Sequence, residues 1–141
     1  MSLMAKDIGP GDAIITTPFT YIATAEVISL LGAEPIFVDI YETTYNLNPD
    51  GIEDAIKYAE NKGLNTKAII PVDLFGLPAD YNQLSEISKR YNLQVISDAA
   101  QSLGGKVDDY FVGNLAPVTT TSFSILLVPL NSFGLDNHTN S

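Results

Sequence analysis

Three aspartates stand where short apolar runs end: Asp39, Asp73 and Asp98. In an open parallel sheet, ligands bind outside the carboxyl ends of the strands, so acids at those ends are placed where chemistry can occur. Two chemistries are open to them. Acids from neighbouring strands can hold a divalent cation through oxygen ligands. Alternatively, one acid can pair with the protonated ring nitrogen of a cofactor. Strand-end aspartates also simply cap loops and following helices, and for Asp39 and Asp73 that reading stands level with the functional ones. Asp98 has the stronger claim. The run Asp98-Ala99-Ala100-Gln101 puts two polar side chains at one strand exit with small residues between them, which leaves room for a ligand.

A second exit carries Thr16, Thr17, Pro18, Phe19, Thr20 and Tyr21. A helix starting there has free backbone N–H groups. Tyr21 can stack on a planar ligand, although residue type alone favours a packed aromatic at a strand–helix junction. The single histidine, His138, lies in an atypical tail and receives no role, so no Ser/His/Asp triad can be argued. Gly9-Pro10-Gly11 reads as a turn, and Gly104-Gly105 matches no phosphate-cradling motif.

The elements that must position these residues follow from periodicity. Strands are expected over 13–16, 35–39, 67–72, 93–97 and 118–123, and helices over 20–31, 49–61 and 80–91. Gly32 suits the end of the first helix. Asn48 with Pro49 suits the start of the second, where Ile52, Ala55, Ile56 and Ala59 recur at helical spacing. Asp80 can cap the third, which carries Leu84, Ile87 and Tyr91 on one face. Residues 41–47 and 76–78 read as connecting loops. Strands alternating with helices predict right-handed crossovers and an α/β fold: a mostly parallel sheet with helices on both faces. The continuously apolar pairs Ile69-Ile70 and Val95-Ile96 fit strands covered on both sides.

The composition narrows the class. The chain has 141 residues, 45% of them apolar, enough for one domain with a real core. Its formal net charge is −10, which argues against nucleic acid and anionic membrane surfaces as partners. It has no cysteine, hence no disulfide and no thiolate metal site, which fits a reducing, cytoplasmic compartment. No apolar run reaches membrane-spanning length, and residues 1–7 read as an N-terminal scar or lead-in rather than a signal peptide. Residues 124–141 hold one charged residue, Asp136, and no clear period. They read either as a terminal strand followed by coil or as a segment foreign to the fold.

Several stretches, in order and spacing, resemble the DegT/DnrJ/EryC1/StrS aminotransferases. They are residues 9–12 (GPGD), 15–24 (ITTPFTYIAT), 31–39 (LGAEPIFVD), 44–49 (TYNLNP), 67–72 (KAIIPV), 75–80 (FGLPAD) and 96–102 (ISDAAQS). The resemblance covers residues 8–123. It implies part of the large domain of the aspartate-aminotransferase type I fold, with pyridoxal phosphate as cofactor. It implies, for full-length relatives, amino transfer from glutamate to a nucleotide-linked keto sugar, and active sites at homodimer interfaces. Residue by residue, Asp98 matches the partner of the pyridinium nitrogen and Gln101 the residue near the ring hydroxyl. Tyr21 matches the aromatic that stacks on the ring, and Ser122 the serine that helps bind the cofactor phosphate.

Two departures set this chain apart from that pattern. The family places a lysine five residues after the serine; here that position is Leu127, and no lysine follows Lys106. Leucine offers no amine to bond the cofactor aldehyde and no base to move a proton. The family's Ser-Gly-Thr-type phosphate turn before the GPGD segment, and its C-terminal small domain, are also not found. The chain is therefore expected to be a partial large domain with a divergent tail, with no catalytic residue and weak or absent cofactor binding.

Overall fold

The computed structural model describes residue 3 and residues 6–107 and 109–121. The core is a parallel sheet of β1 (Asp12–Thr16), β2 (Glu34–Phe37), β3 (Asn65–Ile69), β4 (Gln94–Asp98) and β7 (Val118–Thr120), in the order β2-β1-β3-β4-β7. Three helices connect the strands: α1 (Ile22–Leu30), α2 (Ile52–Asn61) and α3 (Tyr81–Tyr91).

Neighbouring residues of each strand point to opposite faces, so an uninterrupted apolar strand feeds two cores. Ala13 and Ile15 pack with Ile69, Val95 and the inner faces of α2 and α3. Ile14 packs with Ala68, Ile70, Ile96 and Ile28 of α1. Crossovers of one hand require this split: the chain steps outward from β1 to β2 over one face, then back from β2 to β3 over the other. The reversal leaves β1 and β3 side by side with their following helices on opposite faces, the arrangement that opens a crevice at the carboxyl edge.

Local chemistry starts and stops the helices. The Asn48 side chain accepts from the Asp50 amide, and Pro49 opens a short 3-10 turn (Pro49–Gly51) that runs into α2. Asp80 accepts from the Gln83 amide at 3.0 Å and starts α3. Gly32 follows α1 with φ +80, a left-handed conformation that costs glycine nothing, and its amide donates to the Ser29 carbonyl.

The expected strands and helices are all present, with shifted ends. β3 starts at Asn65 rather than 67 and stops at Ile69, because Pro71 has no N–H to continue a ladder. Pairing resumes only as an isolated bridge between Val72 and Asp98. The strand expected over 35–39 ends at Phe37, and α1 spans 22–30 rather than 20–31. β7 ends at Thr120; residues 122 and 123 of the expected strand lie outside the described residues, as does the whole tail from 124. A short 3-10 turn at Leu74–Gly76 was not foreseen, nor was an antiparallel hairpin of β5 (Lys106–Val107) and β6 (Tyr110–Phe111). Two residues per strand are too few to show a period. Among the described residues no helix is long and apolar enough to cross a membrane.

Candidate functional site

The site is assembled from the exits of β1, β3 and β4. At the β1 exit, Thr16 donates its hydroxyl to the Ile70 carbonyl at 2.9 Å, tying β1 to β3 where the two chains diverge. Thr17 accepts from the Phe19 amide at 3.2 Å and tightens the turn into α1. Tyr21 occupies the N-cap position of α1 without capping it, and the residue is 75% exposed. An aromatic at a cap position with its ring left in solvent is available to a ligand rather than to the core.

One helical turn on, Thr24 is buried and donates its hydroxyl to Asp98 Oδ2 at 3.0 Å. A hydroxyl has one proton, so Thr20, 3.3 Å away, must donate to Thr24. The other Asp98 oxygen accepts from the Ala100 amide at 3.3 Å. Its backbone is fixed on both sides: the Asp98 amide donates to Pro71, and the Ala99 amide donates to Thr120. Tyr21 and Asp98 therefore stand at the same edge, linked through Thr24. Gln101 lies on the same exit loop, exposed, with Oε1 accepting from the Phe75 amide at 2.9 Å. That leaves its amide nitrogen free to donate. Ser122 lies outside the described residues, as does Leu127.

The three strand-end acids separate in kind. Asp39 is exposed and accepts from the next residue's amide at 2.8 Å, a local cap. Asp73 is fully buried and satisfied by protein donors: the Ala79 amide at 3.0 Å, the Tyr81 hydroxyl at 2.7 Å and the Ser102 hydroxyl at 2.8 Å. Burial pushes the Tyr81 hydroxyl well above its ordinary value, and the Asp73 charge adds to this, so Tyr81 stays a donor. Only Asp98 presents a half-buried carboxylate to the edge. Among the described residues no group of His, Cys, Asp or Glu comes together to hold a metal ion.

Sequence reasoning gave no role to Thr24, although it closes the ITTPFTYIAT stretch; its spacing of three from Tyr21 marks it as one turn into the helix. It also missed an aromatic row across three exits. Phe19 stacks on Tyr45 with ring centres 5.5 Å apart, and Tyr45 meets Phe75 edge-on at 6.2 Å. Tyr45 and Phe75 have φ of 60 and 54, which bulky side chains rarely adopt. Asn46 holds the row together. Its side chain donates to the Leu77 and Pro78 carbonyls and accepts from the Leu74 amide. Two surface concavities flank β2, lined by Asp54 and Tyr58 or by Ile22 and Leu30; neither includes Asp98 or Gln101.

Residues 1–125 match the DegT/DnrJ/EryC1/StrS aminotransferase family. The chain belongs to that family. A family member from Pseudomonas aeruginosa, a UDP-2-acetamido-2-deoxy-3-oxo-D-glucuronate aminotransferase, is 48% identical over 120 residues, covering 85% of this chain and 32% of the relative. The crystal structure of a DegT DnrJ EryC1 StrS aminotransferase from Brucella abortus superposes with a TM-score of 0.84 at 50% identity, covering 86% of this chain and 33% of that one. The structure of ntda from Bacillus subtilis with bound cofactor PMP superposes at 0.75 with 37% identity, covering 86% and 26%. This chain thus spans about a third of the length of the family members it matches. Its parallel sheet with helices on both faces is part of the aspartate-aminotransferase type I large domain, and the family is pyridoxal-phosphate-dependent.

Proposed function

We infer that residues 8–123 are part of the cofactor-binding large domain of an aminotransferase acting on nucleotide-linked keto sugars, with glutamate as donor. We infer too that the 141-residue chain is inactive as it stands. The observation that carries this reading is the Asp98 carboxylate: half-buried, aimed by Thr24 and the Ala100 amide, and at the same edge as the exposed Tyr21.

The donor set fits the ring end of pyridoxal phosphate. An aligned carboxylate suits a protonated ring nitrogen, a free side-chain amide on Gln101 suits a ring hydroxyl, and an exposed tyrosine suits a planar face. When bound, that cofactor supplies an electron sink for breaking a bond to the carbon that carries nitrogen. Asp98 would hold the ring-nitrogen proton, Gln101 would orient the ring and Tyr21 would exclude water from one face. Ser122 is assigned to the phosphate. The chain has no lysine after Lys106 to bond the aldehyde or carry a proton.

The test is cofactor affinity, read by equilibrium dialysis with pyridoxal phosphate on the native chain and on Asp98→Asn. Removing the charge should weaken binding by about tenfold or more, since a hydrogen bond to a charged group is worth about 1.5–3 kcal/mol. Equal affinity of the two proteins would defeat the assignment.

A further inference from the structure

Among the described residues Asp73 is the one buried acid to which the proposed chemistry gives no task, and its bonds bracket the segment that does have one. Its backbone N–H donates to the carbonyl of Asp98 itself at 3.0 Å. Beyond Gln101, the Ser102 hydroxyl donates to Asp73 Oδ2 at 2.8 Å. Before Asp98, the link runs through Tyr81. The phenol has one proton and gives it to Asp73 Oδ1 at 2.7 Å, so Ser97, 2.6 Å from that phenol oxygen, must donate to it. Ser97 also lies 3.5 Å from Oδ2 directly. The Ala79 amide completes the set and brings in the loop before α3. No cation forms an ion pair with Asp73 among the described residues. Its oxygens are all acceptors, and its hold on residues 97–102 rests on hydroxyl and amide donors alone.

The geometry points to Asp73 as a positioning residue that clamps residues 97–102 at both ends and so sets the separation between Asp98 and Gln101. Productive sites tolerate displacements of only about 0.5 Å, and the turn between Asp98 and Gln101 carries only the short side chains of Ala99 and Ala100. The functional half of this inference rests on reading Asp98 and Gln101 as cofactor contacts. Its mechanical half does not, which allows the two to fail separately.

The experiment compares the full 141-residue chain with Ser102→Ala and Tyr81→Phe, each of which removes one hydroxyl. Ile56→Ala is the control, a core truncation in α2 that removes none of the hydrogen bonds to Asp73. Site-resolved amide exchange is read at Phe75, held by Gln101, and at Gly105, which donates to Ser102, against Ile15 and Ile69 in the sheet centre. Ser102→Ala should speed exchange at Phe75 and Gly105 by about tenfold while the sheet centre moves far less. Tyr81→Phe should do less, because Ser97 retains its direct approach to Asp73. Ile56→Ala should speed globally exchanging amides and leave the contrast between turn and sheet unchanged. Pyridoxamine phosphate affinity per folded molecule should fall by about threefold or more in Ser102→Ala and stay unchanged in Ile56→Ala. Unchanged exchange at Phe75 and Gly105 in Ser102→Ala, or acceleration spread evenly over the fold, overturns the clamp. A native chain that does not bind pyridoxamine phosphate overturns the functional half, with the exchange data still deciding the mechanical one.

Discussion

Asp73 and Asp98 lie at the exits of neighbouring strands and carry the same side chain, but their donors assign them different work. Every donor to Asp73 is internal, while Asp98 has two internal donors and an open side. Thr24 is therefore the residue through which the orientation of Asp98 can be tested without touching its charge. Thr24→Val keeps the shape and removes the hydroxyl, and should weaken pyridoxal phosphate binding by less than Asp98→Asn, because it disturbs the aim of the carboxylate and leaves its charge in place. Dialysis on both variants measures the order; unchanged affinity in Thr24→Val would remove Thr24 from the site. At the same scale, the proposal that the chain is inactive rests on Leu127. General acid–base help of about 10²–10⁴-fold needs a proton carrier in hydrogen-bond reach, and leucine is none. Borohydride reduction with pyridoxal phosphate should leave the intact mass unmodified, and no amino transfer from glutamate should be detected. A stoichiometric phosphopyridoxyl adduct on one lysine would contradict this.

The helices are specified locally at their ends and by packing along their length. Asp80 caps α3 through the Gln83 amide, and Tyr81 and Leu84 bury its inner face. Asp80→Ala should lower stability by about 1 kcal/mol in urea unfolding, the usual cost of a lost cap. Leu84→Ala, at a position with no exposure, should lower it by about 2–5 kcal/mol, because a cavity is left as well as a transfer term lost. Comparable losses from the two substitutions would mean that α3 is not packed as described. These elements were legible because Ile52, Ala55, Ile56 and Ala59, or Leu84, Ile87 and Tyr91, repeat at helical spacing. The β5–β6 hairpin was not legible, since Lys106–Val107 and Tyr110–Phe111 are held by pairing rather than by any burial pattern.

For the molecule as a whole, the Asp73–Tyr81 pair couples the fold to pH. Tyr81 has its folded value raised above the ordinary 10.0 by burial and then by Asp73. Below pH 10 the phenol is protonated in both states and its full contribution is present. Above it the unfolded chain loses the proton first, so stability falls as pH rises through the alkaline range. Tyr81→Phe should flatten that fall, read as urea midpoints between pH 8 and pH 11; an unchanged slope would refute the coupling. Order of elements, parallel topology and membership of the family were all fixed by local signals: apolar runs, caps and consecutive motifs in register. So was the lack of a lysine at position 127. What only the tertiary structure decided is which acid faces outward. Asp39, Asp73 and Asp98 look alike along the chain because each follows a strand. Only the packing of three exits against one another determines that Tyr81 and Ser102 satisfy one of them while Thr24 aims another at the open edge. These are contacts across 8 to 74 residues of sequence, and no local pattern encodes them.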